Sequence, residues 1–124
     1  MGAALVALPA WERLGWLAIR VTGAVVTVPL AEELAFRGFL MRRIQSADFV
    51  SVDSRQARWY AILISSLVFG LMHGSRFAEG TIAGAVYGYT YSRTGKLGNA
   101  FLAHALTNLV LAVVVAGTGD WRYW

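Results

Sequence analysis

Pro29-Leu30-Ala31-Glu32-Glu33-Leu34-Ala35-Phe36-Arg37-Gly38 sets two adjacent carboxylates and a guanidinium inside an apolar run. Upstream, residues 14–30 carry Arg20 as their only charge, and Gly38, Phe39, Leu40 and Met41 follow downstream. Ionised groups at such a depth are costly to desolvate and persist only when they are paired or used. Glu33 and Arg37 are four apart with the acid N-terminal, the favourable orientation for an intrahelical ion pair. Glu32 lies about 100° round the helix from Glu33, on a different line of contacts. The spacing predicts one carboxylate bound up in structure and the other available for chemistry.

Composition places this run in a membrane. Hydrophobic residues make up 57% of 124 and charged residues 15%, with a mean hydropathy of +0.54. A water-soluble single domain of this size could not bury so much apolar surface. There is no cysteine, which excludes disulfides, thiolate metal sites and a cysteine nucleophile. The net charge of +4 does not point to nucleic acid, because the bases sit at the edges of apolar runs with no basic stripe interleaved with aromatics. Anchoring at lipid headgroups accounts for them.

Four hydrophobic segments are expected, at residues 14–44, 59–73, 81–91 and 97–116, with Pro29 kinking the first. The fold class expected is therefore all-α, a polytopic transmembrane helix bundle of about four spans. The second and third segments are short for lipid. Gly70 and Gly74, and Gly80, Gly84 and Gly88, give them smooth faces for close helix packing. Residues 45–58, 74–80 and 93–98 read as connecting loops. If all four segments cross, loops 45–58 and 93–98 share a side that holds Arg42, Arg43, Arg55, Arg58, Arg93 and Lys96, against Arg13, Arg76 and Arg122 opposite. Six against three puts those two loops in the cytoplasm. Residues 1–9 lack the basic start of a secretory signal, and Val6 stands where a myristoylation site needs Ser or Thr.

Both histidines of the chain fall within or at the edge of apolar segments. His73 closes Phe69-Gly70-Leu71-Met72-His73, and His104 precedes Asn108 by four residues, so imidazole and carboxamide project from one helix face. Two histidines, two glutamates, an arginine and an asparagine on three apolar segments are hard to ascribe to packing. No serine is an evident nucleophile, since Ser65 and Ser66 lack a matching base. Water is then the natural nucleophile for a hydrolytic site.

In order and rough spacing, Glu32-Glu33-x-x-x-Arg37, Phe69-x-x-x-His73 and His104-x-x-x-Asn108 resemble the motifs of the CPBP family. That family groups the membrane-embedded CAAX prenyl endopeptidases with bacterial abortive-infection proteins. The resemblance covers residues 25–115 as a protease core. It leaves residues 1–24 as an N-terminal segment with the start of the first helix, expected to be the remnant of a longer chain. Residues 116–124, ending Asp120-Trp121-Arg122-Tyr123-Trp124, form an aromatic interfacial tail.

The resemblance implies a glutamate-type intramembrane endopeptidase that hydrolyses a membrane-associated protein, with a prenylated CAAX-like segment as the substrate of the eukaryotic relatives. It assigns water activation to Glu32 and His73, the oxyanion hole to His104 and Asn108, and electrostatic support to Glu33 and Arg37. It implies no cofactor. A catalytic zinc held by Glu32, His73 and His104 is the competing reading, since three such ligands leave an open position for water. The partners implied are membrane lipid and a membrane-associated peptide or protein, in a bacterial inner (plasma) membrane. A non-proteolytic CPBP-type binding, immunity or regulatory protein is the alternative function.

Overall fold

Five helices carry the chain in the computed structural model, which describes residues 2–121. They are α1 (Gly2–Val6), α2 (Ala10–Arg43), α3 (Trp59–Met72), α4 (Phe77–Thr94) and α5 (Leu97–Thr118). Among the described residues there is no strand. Arg122, Tyr123 and Trp124, the last three residues of the expected aromatic tail, lie outside the described residues.

Two of these helices are long and apolar enough to cross a membrane, α2 with 34 residues and α5 with 22. Only 6% and 22% of their most apolar windows are buried, whereas an equally apolar helix in the core of a soluble fold would be enclosed. Leu102, Leu106, Val110 and Val113 are all more than half exposed on α5. The expectation of about four spans is thus met by two. The 14 residues of α3 reach about 21 Å, short of the roughly 30 Å hydrocarbon core. Glu79, Arg93 and a run of Gly, Thr and Tyr make α4 too polar. What α3 and α4 lack in span they supply in mutual packing.

Pro29 shapes α2. The helix winds wide, with bonds five residues apart, over Gly23–Thr27 and again over Leu34–Leu40. Such π-type turns insert one residue per bulge and recur at functional sites. Proline offers no N–H to the turn behind it, and the first wide stretch ends just before Pro29. The second begins immediately after Glu33 and carries the buried Phe36 and Arg37.

The chain divides into two compact units. One comprises residues 30–104, with a core of Phe36, Met41, Ala61, Phe69, Tyr87, Tyr91 and Ala100. Within it α3 and α4 make the most extensive contact of any two elements, on the glycines that the sequence marks. A Cβ on Gly70 would meet Thr81 Oγ1 and lie 2.6 Å from Phe77 O, and one on Gly84 would lie 3.1 Å from Ser66 Cα. The loops expected on one side do meet. Ser54 Oγ donates to Gly95 O at 3.3 Å and Arg55 Nη2 to Thr94 O at 3.4 Å. Gly95 ends α4 at φ 71°, a left-handed position that favours glycine.

The other unit comprises residues 1–29 and 105–124. Leu5, Pro29, Ala105, Ala112 and Val115 are its buried apolar residues among those described. Asn108 Nδ2 donates to Ala24 O at 2.7 Å and ties α5 to α2 within this unit.

Candidate active site

The unit of residues 30–104 brings Glu32, Glu33, Arg37 and His104 together. Glu33 and Arg37 have fully buried side chains and pair at 3.0 Å, as their spacing predicts. Arg37 Nη2 also donates to Gly84 O at 2.7 Å, a carbonyl reached because residue 84 has no side chain. The guanidinium lies 4.7 Å from the Phe69 ring centroid and 5.4 Å from that of Tyr87. These aromatic faces stabilise a desolvated cation, by about 2 kcal/mol in favourable cases. Glu33 Oε2 and Arg37 Nε have no hydrogen-bond partner. One fork of the pair therefore carries the satisfied contacts.

Glu33 Oε1 also accepts from His104 Nδ1 at 3.0 Å. A carboxylate accepts and an N–H donates, so the His104 proton at this contact sits on Nδ1. Nε2 then faces Glu32 Oε2 at 3.6 Å. The His104 ring is stacked on Tyr87, 4.6 Å between centroids at 17°, and meets Phe69 edge-on at 5.7 Å. Arg37, Glu33 and His104 form a line of contacts that ends at Glu32. Glu32 itself keeps 22% of its side chain exposed. The two adjacent glutamates part as the helical register predicts, one locked in the interior and one open.

His73 closes α3. Its Nδ1 donates to Phe69 O, 2.8 Å away and one turn back; a carbonyl can only accept, which leaves Nε2 of the neutral ring as the basic nitrogen. The His73 ring packs against Phe69 at 4.6 Å, and a Cβ on Gly80 would come within 2.9 Å of its Cγ. Both histidine rings thus rest on Phe69. Asn108, in the other unit, spends a donor on Ala24 O. Ser65 and Ser66 donate to Ile62 O at 3.1 and 2.6 Å on their own helix, in keeping with water rather than serine as nucleophile.

An apolar groove of about 420 Å³ passes Glu32. It is lined by Ala31, Ala35, Phe36, Phe39, Leu40, Val68 and Met72, with Glu32 its one charged residue. Among the described residues, no three His, Asp or Glu side chains converge to hold a metal ion. Nδ1 of each histidine ring is engaged, His73 with Phe69 O and His104 with Glu33, and His104 Nε2 lies 3.6 Å from Glu32 Oε2.

In the sequence, Gly84 is marked for helix packing alone and Tyr87 is not singled out. The glycine stripe was the available signal: it brings α4 close enough for Gly84 to receive Arg37, and Tyr87 lies one helical turn beyond Gly84 on nearly the same face.

A family model described as "Type II CAAX prenyl endopeptidase Rce1-like" matches residues 14–110. No curated protein and no solved structure matches the chain.

Proposed function

The chain belongs to the Rce1-like family of type II CAAX prenyl endopeptidases, a membrane-associated protease family, and from that premise we propose a metal-independent intramembrane endopeptidase in which Glu32 activates water. The observation that carries the reading is the partition of the two glutamates. Glu33 is buried between Arg37 and His104, while Glu32 borders an apolar groove with part of its side chain exposed.

In the proposed reaction a water held by Glu32 and Nε2 of His73 loses a proton to Glu32 as its oxygen bonds the scissile carbonyl carbon. The carbonyl π pair moves to oxygen and gives a tetrahedral oxyanion. Glu32 then returns the proton to the amide nitrogen as the C–N bond breaks, giving a carboxylic acid and an amine. Glu33 occupies the Nδ1–H of His104, so His104 can donate to the oxyanion from Nε2, on the Glu32 side, only as the imidazolium, which carries a hydrogen on both nitrogens. The groove accepts an apolar stretch of the substrate, whether peptide side chains or an attached prenyl chain. We assign loops 45–58 and 93–98 to the cytoplasmic face of a bacterial inner membrane. Their direct contact supports a common side, and their bases support the cytoplasmic one.

The test uses the purified chain in proteoliposomes with membrane-anchored peptides, prenylated and unprenylated, before and after exhaustive chelation. Glutamate catalysis predicts cleavage that survives chelation. Loss of turnover with chelator and recovery with stoichiometric zinc would overturn the metal-free mechanism. Binding of peptide without cleavage would favour the non-proteolytic alternative.

A further inference from the structure

We propose that Tyr87 is a positioning residue: the flat of its ring sets the plane of the His104 imidazole and so aims Nε2 at the Glu32 side of the site. A histidine does not fix its own ring, because the torsion that turns it about Cβ–Cγ is broad and roughly two-fold. The Glu33 contact at Nδ1 distinguishes the two flips, since the carbon across the ring is no comparable donor. One hydrogen bond still leaves the ring free to roll about that contact. Tyr87 removes this freedom, stacked on His104 at 4.6 Å and 17°.

The contact comes from α4, and every residue in it belongs to the unit of residues 30–104. Gly80, Gly84, Tyr87, Gly88 and Tyr91 are the buried residues of α4, and the glycines let the helix approach closely. Within one turn, Gly84 O accepts from Arg37 at 2.7 Å and the Tyr87 ring lies 5.4 Å from the same guanidinium. Glu33 stands between Arg37 and His104, so Tyr87 packs against both partners of the buried carboxylate. Only 3% exposed and met edge-on by Phe69 at 6.2 Å, the tyrosine ring is itself held. A face contact makes no demand on the protons of the imidazole, so it holds the neutral ring and the imidazolium alike. Tyr87 is not among the residues that line the groove, and it acts on substrate only through His104.

NMR of the full chain, labelled at histidine and held in lipid nanodiscs, tests this. The sequence has two histidines, and the ring signals that survive in His73→Gln belong to His104. The stack should move the His104 ring protons upfield in wild type. Tyr87→Phe, which keeps the ring, should retain that shift, and Tyr87→Leu should lose it. The kinetic arm rests on the proposed protease activity, and the NMR arm does not. Below the thermal midpoint of each variant, Tyr87→Leu should lower kcat by about 10–10²-fold with KM little changed, the size expected of a misplaced group. Tyr87→Phe should recover most of that loss. Tyr87→Met takes the place of Tyr87→Leu should the latter melt below the assay temperature. His104 signals in Tyr87→Leu that match wild type would overturn the proposal, whether or not the chain cleaves peptide. So would equal kcat losses in Tyr87→Phe and Tyr87→Leu, the mark of a role for the hydroxyl rather than the ring. A lost shift in Tyr87→Leu beside a wild type that cleaves nothing would sink the protease reading and uphold the positioning of His104.

Discussion

Glu33 and Glu32 are neighbours in the chain with opposite fates, and single substitutions should separate them. Replacing Glu33 by Gln leaves the buried Arg37 cation without its counter-charge and loosens His104. Breaking a buried pair from one side costs about 3–5 kcal/mol, so Glu33→Gln and Arg37→Ala should both lower the denaturation midpoint and reduce activity. A thermal melt in detergent reads the first effect and a cleavage rate the second; unaltered stability in both variants would refute the structural role. The i,i+4 pair was legible because helical spacing alone defines it. The engagement of His104 with Glu33 was not, since it joins residues 71 positions apart. Nor was the partner of Asn108, a backbone carbonyl that no side-chain pattern announces.

At the scale of elements, the pairing of α3 with α4 holds His73 and delivers Gly84 to Arg37. Ala at position 70 would drive its methyl into Thr81 and Phe77 backbone atoms, the nearest carbonyl at 2.6 Å. Overpacking of this kind costs about 1–3 kcal/mol. Gly70→Ala should therefore destabilise, Gly80→Ala should lower activity by displacing the His73 ring, and Gly98→Ala, with open space around it, should match wild type in both assays. Equal melting of the Gly70 and Gly98 variants would contradict the packing account. The glycine periodicity made this contact legible, and hydropathy marked α2 and α5. Hydropathy overstated the spans, because an apolar segment that buries itself against a neighbour reads the same as one facing lipid. The two π-type stretches of α2 left no signature beyond Pro29.

At the scale of the molecule, the helical architecture of the described residues, two spanning-length helices and membership of a membrane protease family support the proposed hydrolysis at the bilayer. Chelator resistance is the outcome expected of the proposed glutamate mechanism. The central claim is that Glu32 supplies the base. It is tested by the cleavage rate of Glu32→Gln, reconstituted in liposomes beside wild type with equal thermal midpoints verified first. The exchange keeps size and removes only basicity, and general-base catalysis is typically worth about 10²–10⁴-fold. A fall of at least 10²-fold with an intact fold is the predicted result; cleavage by Glu32→Gln at the wild-type rate would contradict it.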